Sequence, residues 1–382
     1  MMARRLVIEA KQRPYPLAIV GPHHFRVRDG GPVGPETVLS PGYSLYCLGD
    51  EKREALFVDT GPDVDLSSAA FFYQTQYDAA RALVAVPYEA LHTLAGQVNV
   101  DDRQLILLFS IGRCGSTLAS RAFAATGVPV WSEPDAFTQL VMLRADGRCD
   151  PATLRRLVRS CAQVTFRGSG PHAVKFRSCA IELAELLAGN YPAARVIFLY
   201  RQADTWTQSS LRAFGAYDPV MVSSPSLGQA QPAQGAGQSA VQDRLGLLIP
   251  LLATYRRRLG RLLSPLESLA CQWVRQMECA MSLYQAGVTV IPVRYEDLVA
   301  QPRQVLADLF ARCGLDPDAA AWRAVDSVFQ ADSQAGTSLS RSALGPPGAT
   351  LDDAQRVELA RVIADLSTVV TPDTVLPVSV PR

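Results

Sequence analysis

A chain of 382 residues has room for one large domain or two ordinary ones, and 48% hydrophobic side chains allow a substantial core. Its 37 lysines and arginines are balanced by 36 aspartates and glutamates, so net charge gives no case for a nucleic-acid partner and any basic site has to be local. No apolar run approaches the roughly 20 residues that span a bilayer, and the N-terminus lacks a signal-peptide apolar core; eight scattered cysteines without a Cys-x-x-Cys pair, and four histidines, suit a reducing cytoplasm and no metal site.

Residues 1–100 read as a small α+β extension. Short β-like runs occur at 17–20, 43–48 and 55–58, with a hairpin turn over 49–52. Residues 67–97 are aromatic-rich and have helical character, broken in two at Pro87. From Leu105 the pattern becomes strand, helix, strand, helix. Strands are expected at 105–110, 128–131, 173–176, 195–200 and 288–293, with helices at 118–124, 151–164, 179–189, 203–214 and 244–286. Apolar runs separated by helices imply a parallel sheet covered on both faces, which makes residues 101–370 an α/β domain of the P-loop type with an irregular tail over 371–382. Ligands of such sheets bind beyond the carboxyl ends of the strands. Residues 218–240 are poor in large apolar side chains and read either as a solvated insertion or as an active-site lid.

Two strand ends carry the chemistry. The apolar run Leu105-Ile106-Leu107-Leu108-Phe109-Ser110 ends in a glycine-bracketed turn, Gly112-Arg113-Cys114-Gly115-Ser116-Thr117, and a helical pattern follows at once. A strand, tight loop and helix start present backbone N–H groups to a phosphate. A Walker A loop needs Gly-Lys-Ser/Thr at its end; here Arg113 lies inside the turn and no lysine precedes Ser116, which argues against nucleoside triphosphate hydrolysis. The second strand, Val196-Ile197-Phe198-Leu199-Tyr200, delivers Arg201 at its carboxyl end, and Ser209 follows two helical turns on. A guanidinium fork and a hydroxyl from one strand–helix unit suit a phosphate monoester.

Together these elements resemble the phosphosulfate-binding signatures of sulfotransferases that use 3′-phosphoadenosine 5′-phosphosulfate. Arg113-Cys114-Gly115-Ser116-Thr117 resembles that family's 5′-phosphosulfate loop, and Arg201 with Ser209 its 3′-phosphate element. Val293-Arg294-Tyr295-Glu296-Asp297-Leu298 is similar to a late strand-to-helix segment of many members. The resemblance covers about residues 104–345 and not residues 1–100. It implies transfer of a sulfuryl group to a hydroxyl or amine of a small-molecule, glycan or peptide acceptor.

In the arginine-loop branch, which includes bacterial and tyrosylprotein sulfotransferases, the resemblance implies that Lys175 contacts the sulfuryl group and that Glu133, in Trp131-Ser132-Glu133-Pro134, is the base. A desolvated carboxylate with a raised pKa would suit that role; His172 is the second candidate. The late Arg-Lys-Gly loop of the cytosolic branch is missing, and Ser338, Ser340 and Arg341 lie where a replacement for the 3′-phosphate site could come. A small-molecule kinase of P-loop type and a non-catalytic nucleotide-binding protein of the same fold are the alternatives. Neither acceptor identity nor oligomeric state can be read from the residues.

Overall fold

The computed structural model describes residues 2–378 apart from 68, 148, 215–237, 336–338 and 345–349. In chain order the first part holds β1 (Ala3–Lys11), β2 (Phe25–Val33), β3 (Tyr43–Gly49), β4 (Glu54–Asp59), α1 (Phe72–Ala79), β5 (Ala82–Pro87) and α2 (Tyr88–Ala95). The second begins with β6 (Leu105–Ser110), α3 (Ser116–Ala125), β7 (Val130–Ser132), α4 (Ala136–Asp146), α5 (Pro151–Thr165), β8 (His172–Lys175), α6 (Ala184–Asn190) and β9 (Arg195–Tyr200). It continues with α7 (Ala203–Phe214), α8 (Gln238–Leu248), α9 (Pro250–Leu259), α10 (Pro265–Gln285), β10 (Val290–Arg294), α11 (Tyr295–Ala300), α12 (Pro302–Arg312), α13 (Ala319–Gln330), α14 (Arg341–Leu344) and α15 (Asp353–Leu366).

Two five-stranded sheets result. The second is parallel, in the order β10-β9-β6-β8-β7. Its central strand β6 is Leu-Ile-Leu-Leu-Phe-Ser, buried along its whole length, as a strand covered by helices on both faces should be. The chain leaves β6 toward β7 and β8 on one side and later returns to β9 on the other, so the end of β6 is a topological switch point. The α/β, P-loop-type sheet expected from the sequence is therefore present.

The first sheet is antiparallel, in the order β2-β1-β5-β4-β3. Phe57, Val84 and Val86 point into the core shared with the second sheet, while Leu56, Val58, Leu83 and Ala85 alternate into a smaller core of their own with Tyr46 and Phe71. Side-chain bonds tie the two parts together. Gln139 bonds both the N–H and the carbonyl of Leu48, and Arg167 donates to the carbonyls of Val38 and Tyr43.

Several expected elements are corrected. No strand forms over 17–20; Pro14 and Pro16 precede it, and the Val20 N–H donates to the Asp135 carboxylate at 2.9 Å instead of to a ladder. The helical region 67–97 contains β5 between its two helices, and Pro87 closes that strand rather than interrupting a helix. The helical stretch 244–286 is three helices, restarted at Pro250 and Pro265. Strand 128–131 lies at 130–132 and strand 288–293 at 290–294. Most of the segment 218–240 lies outside the described residues; 238–240 open α8. The tail over 371–378 has no helix or strand, and it docks on the end of β9: the Leu376 N–H donates to the Tyr200 hydroxyl at 3.2 Å.

Candidate active site

The turn after β6 is set by backbone geometry. Gly112, Arg113 and Gly115 have φ of 72°, 50° and 81°, so three of four consecutive residues lie in the left-handed region and curl the chain back over the strand end. Arg113 adopts this conformation without glycine's freedom, a cost of roughly 1–3 kcal/mol that recurs at functional sites. At Gly115 a Cβ would come 3.1 Å from the Tyr295 ring. Gly115 caps α3 with no side-chain hydrogen bond, and a helix start of this kind leaves its first-turn N–H groups open to an anion.

That cleft, of about 690 Å³, is lined by Arg113, Gly115, Ser116, Thr117, Arg201 and Ser209 together with Thr205, Arg212, Tyr295 and Gln334. Arg113 Nε lies 3.4 Å from Ser209 Oγ and its Nη1 donates to Gln334 Oε1 at 3.1 Å. Arg201 reaches across from β9, with Nη1 3.4 Å from the Arg113 carbonyl and its guanidinium 4.4 Å from the centre of the Tyr295 ring. Burial, with Arg201 and Arg212 close by, lowers the Arg113 pKa from its ordinary value. Such mutual repulsion among guanidinium groups is relieved by a multiply charged anion.

Cys114 faces the other way. It is fully buried, its thiol donates to the Leu199 carbonyl, and burial pushes its pKa up to about 11. Cys114 lines neither the cleft nor the cavity beside it. Ser340 is also turned inward: its hydroxyl accepts from the Ala343 N–H at 3.2 Å and so caps α14. Ser338 and the Arg341 side chain lie outside the described residues.

A second cavity, of about 230 Å³, meets the cleft at Arg113, Ser116 and Thr117 and contains Glu133 and Lys175. The parallel register sets Ser132 opposite Lys175, so Glu133 is the first residue past the end of β7. Its N–H continues the ladder to the Lys175 carbonyl at 2.6 Å. A φ of 64° then turns its side chain toward Lys175, and Glu133 Oε1 lies 2.5 Å from Lys175 Nζ. Glu133 is thus held in a charged cluster. It is paired with Lys175, which is 3% exposed, and Arg177 Nε lies 3.5 Å from its other oxygen.

Arg177 escaped the sequence reading. Its Nε also approaches Asp135 at 2.9 Å, its guanidinium lies 4.4 Å from the centre of the Tyr73 ring, and it donates to the Leu17 carbonyl at 3.3 Å. Burial opposes its charge, but Asp135, Tyr73 and Glu133 outweigh that and raise its pKa, while burial raises that of Asp135. Thr205 and Gln334 were missed as well. Thr205 accepts from Arg201 Nε at 3.0 Å, and Glu296 accepts from both the Gln202 N–H and the Thr205 hydroxyl. The late Tyr-Glu segment thus fixes the start of α7 and the base of Arg201. His172, the alternative base, is buried in β8 against the Trp131 ring and does not line the cavity.

No family model matches the chain, and no curated protein matches it. Solved structures do. A sulfotransferase from Mycobacterium tuberculosis H37Rv is 16% identical, with 62% of this chain and 73% of that one covered and a TM-score of 0.36. A sulfotransferase from Alicyclobacillus acidocaldarius is 15% identical over 69% and 92% of the two chains, with a TM-score of 0.34. The sulfotransferase domain of the Synechococcus PCC 7002 olefin synthase is 15% identical over 68% and 94%, with a TM-score of 0.32. Among the described residues no helix is long and apolar enough to cross a membrane, and no group of three or more His, Cys, Asp or Glu residues could hold a metal ion.

Proposed function

We propose that this chain is a sulfotransferase that moves a sulfuryl group from 3′-phosphoadenosine 5′-phosphosulfate to an acceptor hydroxyl. The observation that carries the reading is the meeting of Arg113, Arg201 and Ser209, from two separate strand ends, in one cleft that opens into the cavity of Glu133 and Lys175. The first-turn N–H groups of α3 and Arg113 hold the 5′-phosphate. A helix terminus alone contributes about 0.3–2 kcal/mol toward an anion, so the fixed charge of Arg113 does most of the work. Arg201 and Ser209 hold the 3′-phosphate.

Lys175 and Glu133 are paired, with Nζ 2.5 Å from Oε1. An arriving sulfuryl group offers Lys175 a second anionic partner, which frees Glu133 to accept the acceptor's proton. The S–O bond to the 5′-phosphate breaks as a new S–O bond to the acceptor oxygen forms. Glu133 takes the proton, and adenosine 3′,5′-bisphosphate leaves with the electron pair of the broken bond. Arg113 stabilises that leaving phosphate as its charge grows. The absence of a lysine in the turn weighs against a kinase, and eight unpaired cysteines support a cytoplasmic setting.

The test is a thermal-shift comparison of adenosine 3′,5′-bisphosphate, ATP and AMP. A ligand at a hundredfold excess over its Kd stabilises by about 2.7 kcal/mol. The bisphosphate should give the largest shift, and Arg201→Ala should reduce it. Equal shifts for the bisphosphate and AMP would remove the basis for the assignment.

A further inference from the structure

The cavity beside Glu133 and Lys175 is mostly apolar at its walls. Leu17, Ile19 and Phe71 come from the first part of the chain, and Phe176, Leu248 and Leu269 from the second. Two neutral polar side chains in its lining are buried without a partner. Gln276 on α10 is 2% exposed, and neither its amide oxygen nor its amide nitrogen has a hydrogen-bond partner; Ser210 on α7 is 1% exposed with an unpartnered hydroxyl. Buried amides are normally bonded, because desolvating one without a partner is costly. Gln276 offers both a donor and an acceptor from a single planar group. The group that would satisfy it has the same pair in reverse, and a carboxamide does so with two parallel bonds.

We infer that Gln276, with Ser210, is a specificity determinant of the acceptor site: the acceptor is a small, one-ring-sized alcohol or phenol whose apolar body fills the cavity and whose carboxamide or similar donor–acceptor group pairs with the Gln276 amide. This rests on the sulfuryl-transfer reading for the reacting hydroxyl and on the cavity alone for the second group. Size agrees. At about 230 Å³ the cavity falls below the roughly 300–1,000 Å³ of clefts that take drug-sized ligands, which suits a single substituted ring. Charge agrees as well: among the described lining residues the charged groups are Arg113, Glu133, Lys175 and Arg177, leaving the Gln276 and Ser210 part of the lining neutral.

Two matched phenols test this by calorimetry with adenosine 3′,5′-bisphosphate at saturation: 2-(4-hydroxyphenyl)acetamide, and 4-(2-methylpropyl)phenol, which has the same shape without the amide. The wild-type chain should bind the acetamide at least about tenfold more tightly, since a site with buried polar groups rejects an analogue that leaves them unpaired. Gln276→Leu should bring the two affinities within about threefold of each other, and Ser210→Ala should weaken the acetamide alone. Equal binding of the two phenols by the wild-type chain overturns the inference, as does binding of neither or a preference that survives Gln276→Leu. Sulfated product is assayed separately. Acetamide preference with no product leaves the inference standing and removes the sulfuryl-transfer reading; product from both phenols without preference does the reverse.

Discussion

The Glu133–Lys175 pair shows how few residues carry the proposed chemistry and how tightly they are constrained. Lys175 is buried and Glu133 is the carboxylate against its ammonium group. Removing one member of a buried pair leaves the other charge without compensation, which costs about 3 kcal/mol. Glu133→Gln is therefore expected to lower stability by about 3 kcal/mol and to abolish turnover while bisphosphate binding persists. Glu133→Gln with Lys175→Met should be less destabilising than the sum of the two single changes, because the stranded ammonium is gone. Urea unfolding of the four proteins measures this coupling, and strictly additive effects would show that the pair is not one unit. Arg113 and Arg201 stand out in the sequence because each follows an apolar strand, with Ser209 two helical turns beyond the second, and Glu133 and Lys175 because of the family resemblance. Arg177, Thr205 and Gln334 stand in no motif, and only the folded chain brings them to the site. The pairing of Glu133 was also hidden. It depends on the register of β7 and β8, which brings together two residues 42 apart in the chain.

At the scale of elements, the turn between β6 and α3 is the part whose shape the proposed function depends on. Gly115 has φ of 81° and a Cβ there would press on the Tyr295 ring at 3.1 Å. Gly115→Ala is expected to cost about 1–2 kcal/mol from the left-handed backbone alone. Because Tyr295 also lies against Arg201, the change should weaken bisphosphate binding more than it weakens the fold. Calorimetric titration beside thermal unfolding reads both effects; unaltered affinity would mean that the turn is not the phosphate cradle. The turn could be read from sequence because its glycines sit between a long apolar run and a helical pattern. Other elements gave less signal. α4 is Ala-Phe-Thr-Gln-Leu-Val-Met-Leu over its first two turns, and all eight are buried, so it has no polar face to mark a helical period. β5 is buried on both faces and reads as a plain apolar run. β2 alternates Phe25, Arg26, Val27, Arg28 as a half-buried strand should, but Gly30, Gly31 and Pro32 disguise its end.

At the scale of the whole molecule, the two sheets share an apolar core, and the cavity beside Glu133 takes its walls from both parts of the chain. Neither sheet keeps its core covered if the other unfolds, so a single cooperative transition is expected, and a buried histidine just before β2 should report on all of it. His24 is fully buried, with its Nδ1 2.9 Å from the Tyr46 hydroxyl. Burial, with the charges of His23 and Arg13 nearby, lowers its pKa from 6.5 to about 2. The unfolded chain therefore binds a proton below pH 6.5 that the folded chain refuses. This contribution to stability is complete above pH 6.5 and is lost as the pH falls, by about 1.4 kcal/mol per pH unit, or about 2 kcal/mol at pH 5. Lowering the pH from 7 to 5 should move one transition to lower temperature. His24→Asn should flatten the slope by that amount, and adenosine 3′,5′-bisphosphate, bound at the far sheet, should move the same transition upward. Two separable transitions in the calorimeter, with only one responding to acid and only the other to the nucleotide, would show that the first part of the chain is an independent unit and that Leu17, Ile19 and Phe71 are not held at the cavity by the core.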